Sequence, residues 1–196
     1  MKGDPDGDLV RQAQAGSKAA FGKLVDRYYE MVYAVAYGIL NHHEEARDAA
    51  QEALLKAFRE IERFQGQSKF KTWLYRITVN AAIDQIRRRR PVEPIEMGGG
   101  EGEEEPRGHV VSDRAPGPRE QASRAELGRL IREALEHLSP EHRAVLILRE
   151  WEGLSYEEIA ETLGIEMGTV MSRLFYAKKK LGEILGPKIR GEGEKP

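Results

Sequence analysis

Residues 91–120 constrain what this chain can fold into more than any other segment. They hold Pro91, Pro94, Pro106, Pro116 and Pro118, the run Gly98-Gly99-Gly100 and an acidic cluster from Glu101 to Glu105, with few large apolar residues between. Proline removes a backbone donor, and glycine raises the entropic cost of ordering. A segment of this make-up buries too little apolar surface to offset that cost and reads as a flexible linker. The chain of 196 residues is thereby divided into a module over residues 1–90 and a second over 121–190.

Both modules read as helical. In the first, Phe21, Leu24, Val25, Tyr28, Val32, Val35, Ala36 and Ile39 recur every three or four positions. So do Ala46, Ala49, Ala50, Ala53, Leu54, Ala57, Phe58 and Ile61, and then Phe70, Trp73, Leu74, Ile77 and Ala81. The period-two alternation of strands is missing. Asn41-His42-His43 and Phe64–Ser68 break the runs, and a short opening helix from Asp8 to Ala15 ends at Gly16. The expectation is an all-α protein whose first module is a four-helix bundle. The second module opens with a helix from Arg119 to His137. Ser139-Pro140 then gives a cap with proline at the first helical position, and that helix stops near Gly153.

Bulk composition excludes several function classes. Forty per cent of the residues are hydrophobic and 33% are charged, and no apolar run reaches membrane-spanning length. The N-terminus lacks the apolar stretch of a signal peptide, so the chain is expected in the cytoplasm, with no insertion in a membrane. There is no cysteine, which removes disulfides and thiolate metal sites. Phosphate-binding Gly-rich loops, nucleophile elbows and H-E-x-x-H are missing, and His42, His43, His109, His137 and His142 do not form a ligand set. The sequence predicts no catalytic residue, no metal and no cofactor. The net charge of −2 conceals segregation. Eight basic residues between Arg63 and Arg90 face the single acid Asp84, and six between Gly168 and Arg190 face only Glu183. Two such patches suit two contacts with a phosphate backbone.

The most specific local signal runs from Leu154 to Leu174. Ser155 and Glu158 have capping-box spacing, Gly164 suits a left-handed turn, and Ile159, Ala160, Leu163, Ile165, Val170 and Leu174 supply facing apolar sides. This is a helix-turn-helix, whose second helix would enter a major groove. Its outward side chains are Thr169, Met171, Ser172, Arg173, Phe175, Tyr176 and Lys179. Hydroxyls and arginine can donate to phosphates or bases, and Met and aromatic groups can meet thymine methyls. In the first module Phe64, Phe70, Trp73 and Tyr75 interleave with Lys69, Lys71, Arg76 and the run Arg87–Arg90. Aromatic faces with cations match what single-stranded DNA requires, and core packing accounts for part of the aromatic set.

Several motifs together resemble the extracytoplasmic-function sigma factors of the bacterial sigma-70 family. Ala19–Tyr28, Asp48-Ala-Ala-Gln-Glu52, Phe64-x-Gly-x-Ser68 and Thr72–Ile77 with Asn80 and Asp84 resemble that family's second conserved region. Leu138–Arg143, Glu152–Ala160 and Gly168–Leu174 resemble the fourth. The resemblance implies that Asp48, Gln51 and Glu52 grip the clamp coiled coil of the β′ subunit of core RNA polymerase, that the β subunit is a further partner, and that the linker threads toward the polymerase cleft and RNA exit path. It implies that Phe64, Ser68, Lys69, Trp73, Arg76, Asn80, Arg87 and Arg88 lie on the melted −10 element. It also implies that the helix from Gly168 reads the duplex −35 element, and that an anti-sigma factor and a stress response belong to the system. Met171 and Tyr176 stand where relatives often carry basic residues, Arg47 where an acid is common, and Glu166-Met167 where proline or serine is usual. A stand-alone helix-turn-helix regulator would explain the second module but not the first. A sigma-like decoy for an anti-sigma factor would not need to keep Trp73, Asn80, Arg87–Arg90 and Arg173.

Overall fold

The computed structural model describes residues 5–89 and 118–191. Most of the expected linker lies outside them. Among the described residues there are helices and turns and no strand, as the sequence pattern predicts.

The first module holds α1 (Gly7–Gln14), α2 (Lys18–Leu40), α3 (His43–Glu60), a 3-10 turn at Ile61–Arg63, and α4 (Phe70–Arg89). Ser17 caps α2, its hydroxyl accepting from the Ala20 amide at 3.2 Å. Asn41 ends α2 in the left-handed region with φ 53°, a conformation asparagine tolerates better than most residues. Helix α3 turns a row of small residues inward: Ala46, Ala49, Ala50, Ala53 and Ala57 are all buried. Their size lets α2 and α4 approach α3 closely. Phe21, Leu24, Tyr28 and Val32 of α2 meet Leu54, Phe70, Trp73, Leu74 and Ile77 in one core. Asp6 is buried beside them and accepts from the Tyr28 hydroxyl and Arg27.

The second module holds α5 (Pro118–Glu136), α6 (Pro140–Glu150), α7 (Tyr156–Leu163) and α8 (Met167–Gly191). Helix α5 opens at Pro118, inside the last residues assigned to the linker, because proline is pre-shaped for the first helical turn. Ser139 caps α6. At α7 the expected capping box is complete: the Glu158 amide donates to the Ser155 hydroxyl at 3.1 Å and the Ser155 amide to the Glu158 carboxylate at 2.8 Å. Gly164 turns the chain with φ 64°. Helix α8 starts at Met167, one residue before the expected Gly168.

The two modules also pack on each other. Val35, Ala36, Ile39, Tyr75, Val79 and Ala82 of the first share one apolar cluster with Leu135, Leu138, Ala144, Val145, Leu148, Leu154 and Ile159 of the second. At the seam Gly38 lies under Ile147 so closely that a Cβ there would sit 2.8 Å from Ile147 Cδ1. Buried Arg143 reaches across and donates to the Ile39 carbonyl, an unpaired acceptor at the end of α2. Its burial pulls the guanidinium below the ordinary arginine range. The Tyr75 hydroxyl donates to Glu152 at 2.7 Å and Asn41 to Glu136 at 2.6 Å. Burial, and then the Glu152 carboxylate, push the Tyr75 phenol well above its usual value. Helix α4 is therefore apolar on two sides, one facing its own module and one facing the other.

Candidate protein and nucleic-acid surfaces

Three surfaces carry the residues singled out from the sequence. The first is the outward side of α3. Asp48, Gln51 and Glu52 are exposed and line one shallow cleft with Leu55, Lys56, Arg59 and Glu60. Leu55 and the nearby Phe58 are exposed apolar side chains on the same helix. Sequence reasoning missed Leu55 in this role. The signal was available, since Leu55 lies three and four positions beyond Glu52 and Gln51 and therefore on their face.

The second surface is the loop before α4 together with the exposed side of α4. Here the structure separates the aromatic residues from the polar ones. Trp73 is only 7% exposed, packed against Phe64 at 5.0 Å between ring centroids and Phe70 at 5.7 Å. Phe64 is equally enclosed. The two rings pack on each other with a tilt of 38°, and both are almost wholly enclosed. What the surface does present is Lys69, Arg76 and Asn80, all exposed, with Ser68 half-buried and its hydroxyl donating to the Lys69 carbonyl at 3.3 Å. Arg76 and Asn80 are one helical turn apart and so share a side.

The basic end of α4 is engaged by carboxylates. Arg87 lies 3.6 Å from Asp84 and 3.9 Å from Glu141 of the second module. Arg88 holds Glu52 with two bonds, at 3.1 and 3.2 Å. Those bonds, and then the charge of Glu52, push the Arg88 guanidinium above its usual value. Arg89 pairs with Glu45. Residues assigned from sequence to separate tasks, Glu52 and Arg88, are thus brought together. No local pattern signals this pairing, because the partners are far apart in sequence.

The third surface is α8. Val170, Leu174 and Ala177 are buried against α6 and α7, which fixes the opposite side outward. Met171, Ser172, Phe175, Tyr176 and Lys179 are exposed, as expected, while Thr169 and Arg173 are half-buried. Lys178 pairs with Glu150 at 2.8 Å. Arg173 lies near Glu141. Burial alone would raise that carboxyl, but its own amide, Ser139 and the Arg173 and Arg87 cations hold it below the usual range. Met167 and Gly168 also face outward and were not in the expected set. His137 and His142 line a cleft with Ser139, Tyr176, Lys179, Lys180 and Glu183. The described residues hold no group of three or more side chains suited to a metal ion, and no helix among them is long and apolar enough to cross a membrane.

This arrangement has counterparts in known proteins. Residues 24–92 match the family model for Sigma-70 region 2, and residues 128–181 the model for Sigma-70 region 4. The chain is 35% identical over 195 residues to the RNA polymerase sigma-H factor of Pseudomonas aeruginosa, covering 95% of this chain and 97% of that one. It is 36% identical to the ECF RNA polymerase sigma-E factor of Haemophilus influenzae, covering 93% and 96%. Identity to the ECF RNA polymerase sigma factor SigW of Bacillus subtilis is 34%, covering 90% and 94%. Among solved structures, CnrH in complex with the cytosolic domain of CnrY matches with a TM-score of 0.68 and 27% identity, over 93% of this chain and 98% of that chain.

Proposed function

This chain belongs to the extracytoplasmic-function branch of the sigma-70 family, and from that premise we propose how its surfaces divide the work of initiation. It is a sigma factor, which directs RNA polymerase to promoters. Its family acts without catalysis of its own, and no residue here is assigned a catalytic role.

In this reading Asp48, Gln51 and Glu52 dock α3 on the β′ clamp of core polymerase. Leu55 and Phe58 add apolar area beside oriented polar contacts. Ser68, Lys69, Arg76 and Asn80 meet the melted −10 strand. Phe64 and Trp73 act from behind, holding the loop and the start of α4 in place. Arg87 and Arg88 take phosphates in exchange for the carboxylates of Glu141 and Glu52. Helix α8 enters the duplex −35 element while α7 braces it. The observation that carries the reading is the packing of α3 on α4, joined at their surface by Glu52 and Arg88. A partner seated on α3 thereby shifts charge on the strand-facing helix. An anti-sigma factor is the further partner, in line with the likeness to CnrH, which was solved in complex with another protein, the cytosolic domain of CnrY, and the site of action is the cytoplasm.

The test is run-off transcription with bacterial core polymerase on genomic promoter fragments, beside gel shifts with the protein alone. Stimulated, promoter-specific transcripts with little shift by the protein alone are expected. A strong shift without any stimulation would favour the stand-alone regulator.

A further inference from the structure

The outer side of α8 is apolar where a groove-reading helix would ordinarily be polar. Met167 is 45% exposed, Met171 50%, Phe175 63% and Tyr176 58%. Single exposed apolar groups need no explanation, but four neighbours on one helix mark a contact surface. Several of the polar side chains nearby are committed elsewhere. The Ser172 hydroxyl donates to the Thr169 carbonyl at 3.0 Å, Lys178 is held by Glu150, and Arg173 is half-buried toward Glu141. The bidentate fork that reads guanine needs an arginine or lysine aimed into the groove. At the outward positions 171, 175 and 176 this helix supplies methionine, phenylalanine and tyrosine.

Gly168 is the second observation. It lies in the first turn of α8, and a Cβ there would meet nothing within 4 Å. Nothing in the folded chain calls for glycine at this place, and glycine is a poorer helix former than alanine. The missing side chain leaves room for another backbone to come close.

We propose that α8 reads its duplex element through thymine C5-methyl groups, with Met171 and Phe175 making the contacts and Gly168 letting the helix settle against the sugar–phosphate backbone. This rests on the reading of α8 as the −35 helix. Thymine alone carries a methyl group into the major groove. Methionine is unbranched and polarisable and fits itself to such a group, and a phenyl ring covers it. The element is therefore rich in thymine on the strand facing Met171 and Phe175, and recognition there depends on shape and dryness more than on hydrogen bonds.

The experiment uses core polymerase with the full chain and the promoter fragment that gives the strongest run-off product. The upstream footprint is mapped, and two further versions of the fragment are made. One replaces every thymine of that footprint by deoxyuridine, which keeps base pairing and removes only the methyl. The other makes the same number of replacements outside both footprints. Each contacted methyl is worth about fourfold in affinity, so the first version should bind roughly 15-fold more weakly where two methyls are covered, and the second should bind unchanged. Met171→Ala with Phe175→Ala should shrink the deoxyuridine penalty to below about twofold. Gly168→Ala should weaken binding to all three fragments alike while its melting temperature holds or rises. Equal affinity for the thymine and deoxyuridine promoters overturns the proposal and leaves the apolar face to a protein helix. A complete lack of run-off product overturns the sigma reading and this inference with it. The two failures are told apart by whether transcription occurs.

Discussion

Helices α4 and α8 carry similar residues and use them in opposite ways. Each combines aromatic groups with a basic end. In α4 the aromatic rings of Phe70, Trp73 and Tyr75 are buried, and lysine, arginine and asparagine face out. In α8 the rings of Phe175 and Tyr176 face out, and Arg173 and Lys178 are drawn toward carboxylates of α6. Aromatic content near basic charge therefore does not identify a stacking surface. Position relative to the helix's apolar stripe decides it. Trp73 lies on the stripe Phe70, Trp73, Leu74, Ile77, and Phe175 lies off the stripe Val170, Leu174, Ala177.

The largest test of that contrast is Trp73→Ala. Removing a ring enclosed by Phe64 and Phe70 should cost about 3–5 kcal/mol in a urea melt, with strand opening impaired as the loop loses its support. Loss of strand opening with stability unchanged would instead return Trp73 to direct base contact. Next in size is Gly38→Ala, which drives a methyl of α2 into Ile147 of α6 at the seam between the modules. About 1–3 kcal/mol of seam packing should go, seen as a larger radius in small-angle scattering, and Ile147→Ala in the same chain should restore the compact form. Ser155→Ala sharpens the α8 side. It breaks the capping box and should lower the stability of the second module by about 1 kcal/mol, measured by amide exchange in α7. Arg76→Ala should leave folding intact and lower the slope of log affinity against log salt by about 1 for open promoter DNA. Smallest in stability is Phe175→Ala, expected within about 0.5 kcal/mol of the parent in the same melt. A larger loss would show that this ring is part of the fold after all.

Much of this was legible before any coordinates. The capping box at Ser155, the left-handed Gly164 and the proline start of α6 are local signals, and local signals survive folding because the partners are three or four residues apart. The membership of Trp73 in a buried stripe was legible too, although its aromatic-basic surroundings pointed to DNA. The seam between the modules was not read. Its sequence trace is the second stripe of α4, Tyr75, Val79 and Ala82, which a single-faced helix would not need. The partners that meet across the seam lie about a hundred residues apart in sequence: Arg143 finds the Ile39 carbonyl and Asn41 finds Glu136. Complementarity at that separation has no periodicity to betray it. The same holds for the pairing of Glu52 with Arg88, where each residue looks like a solvated charge until the helices are packed.

The seam also bears on how readily this protein acts at all. Elements named for positions −35 and −10 lie about 25 base pairs apart, on the order of 80 Å along B-form DNA. In this reading, two modules that share Tyr75, Ile39, Ala144 and Leu148 in one cluster would have to part to reach both elements. Promoter engagement in this reading draws on the separated form, so apparent affinity is the intrinsic affinity scaled by the fraction of molecules already open. Each tenfold bias toward closure corresponds to about 1.4 kcal/mol, the range that a few buried contacts such as Arg143 on Ile39 supply. Gly38 and Arg143 touch neither DNA nor polymerase in this scheme. In this reading they would nonetheless set the fraction of molecules open to a promoter, and the seam would act as a gain control on transcription.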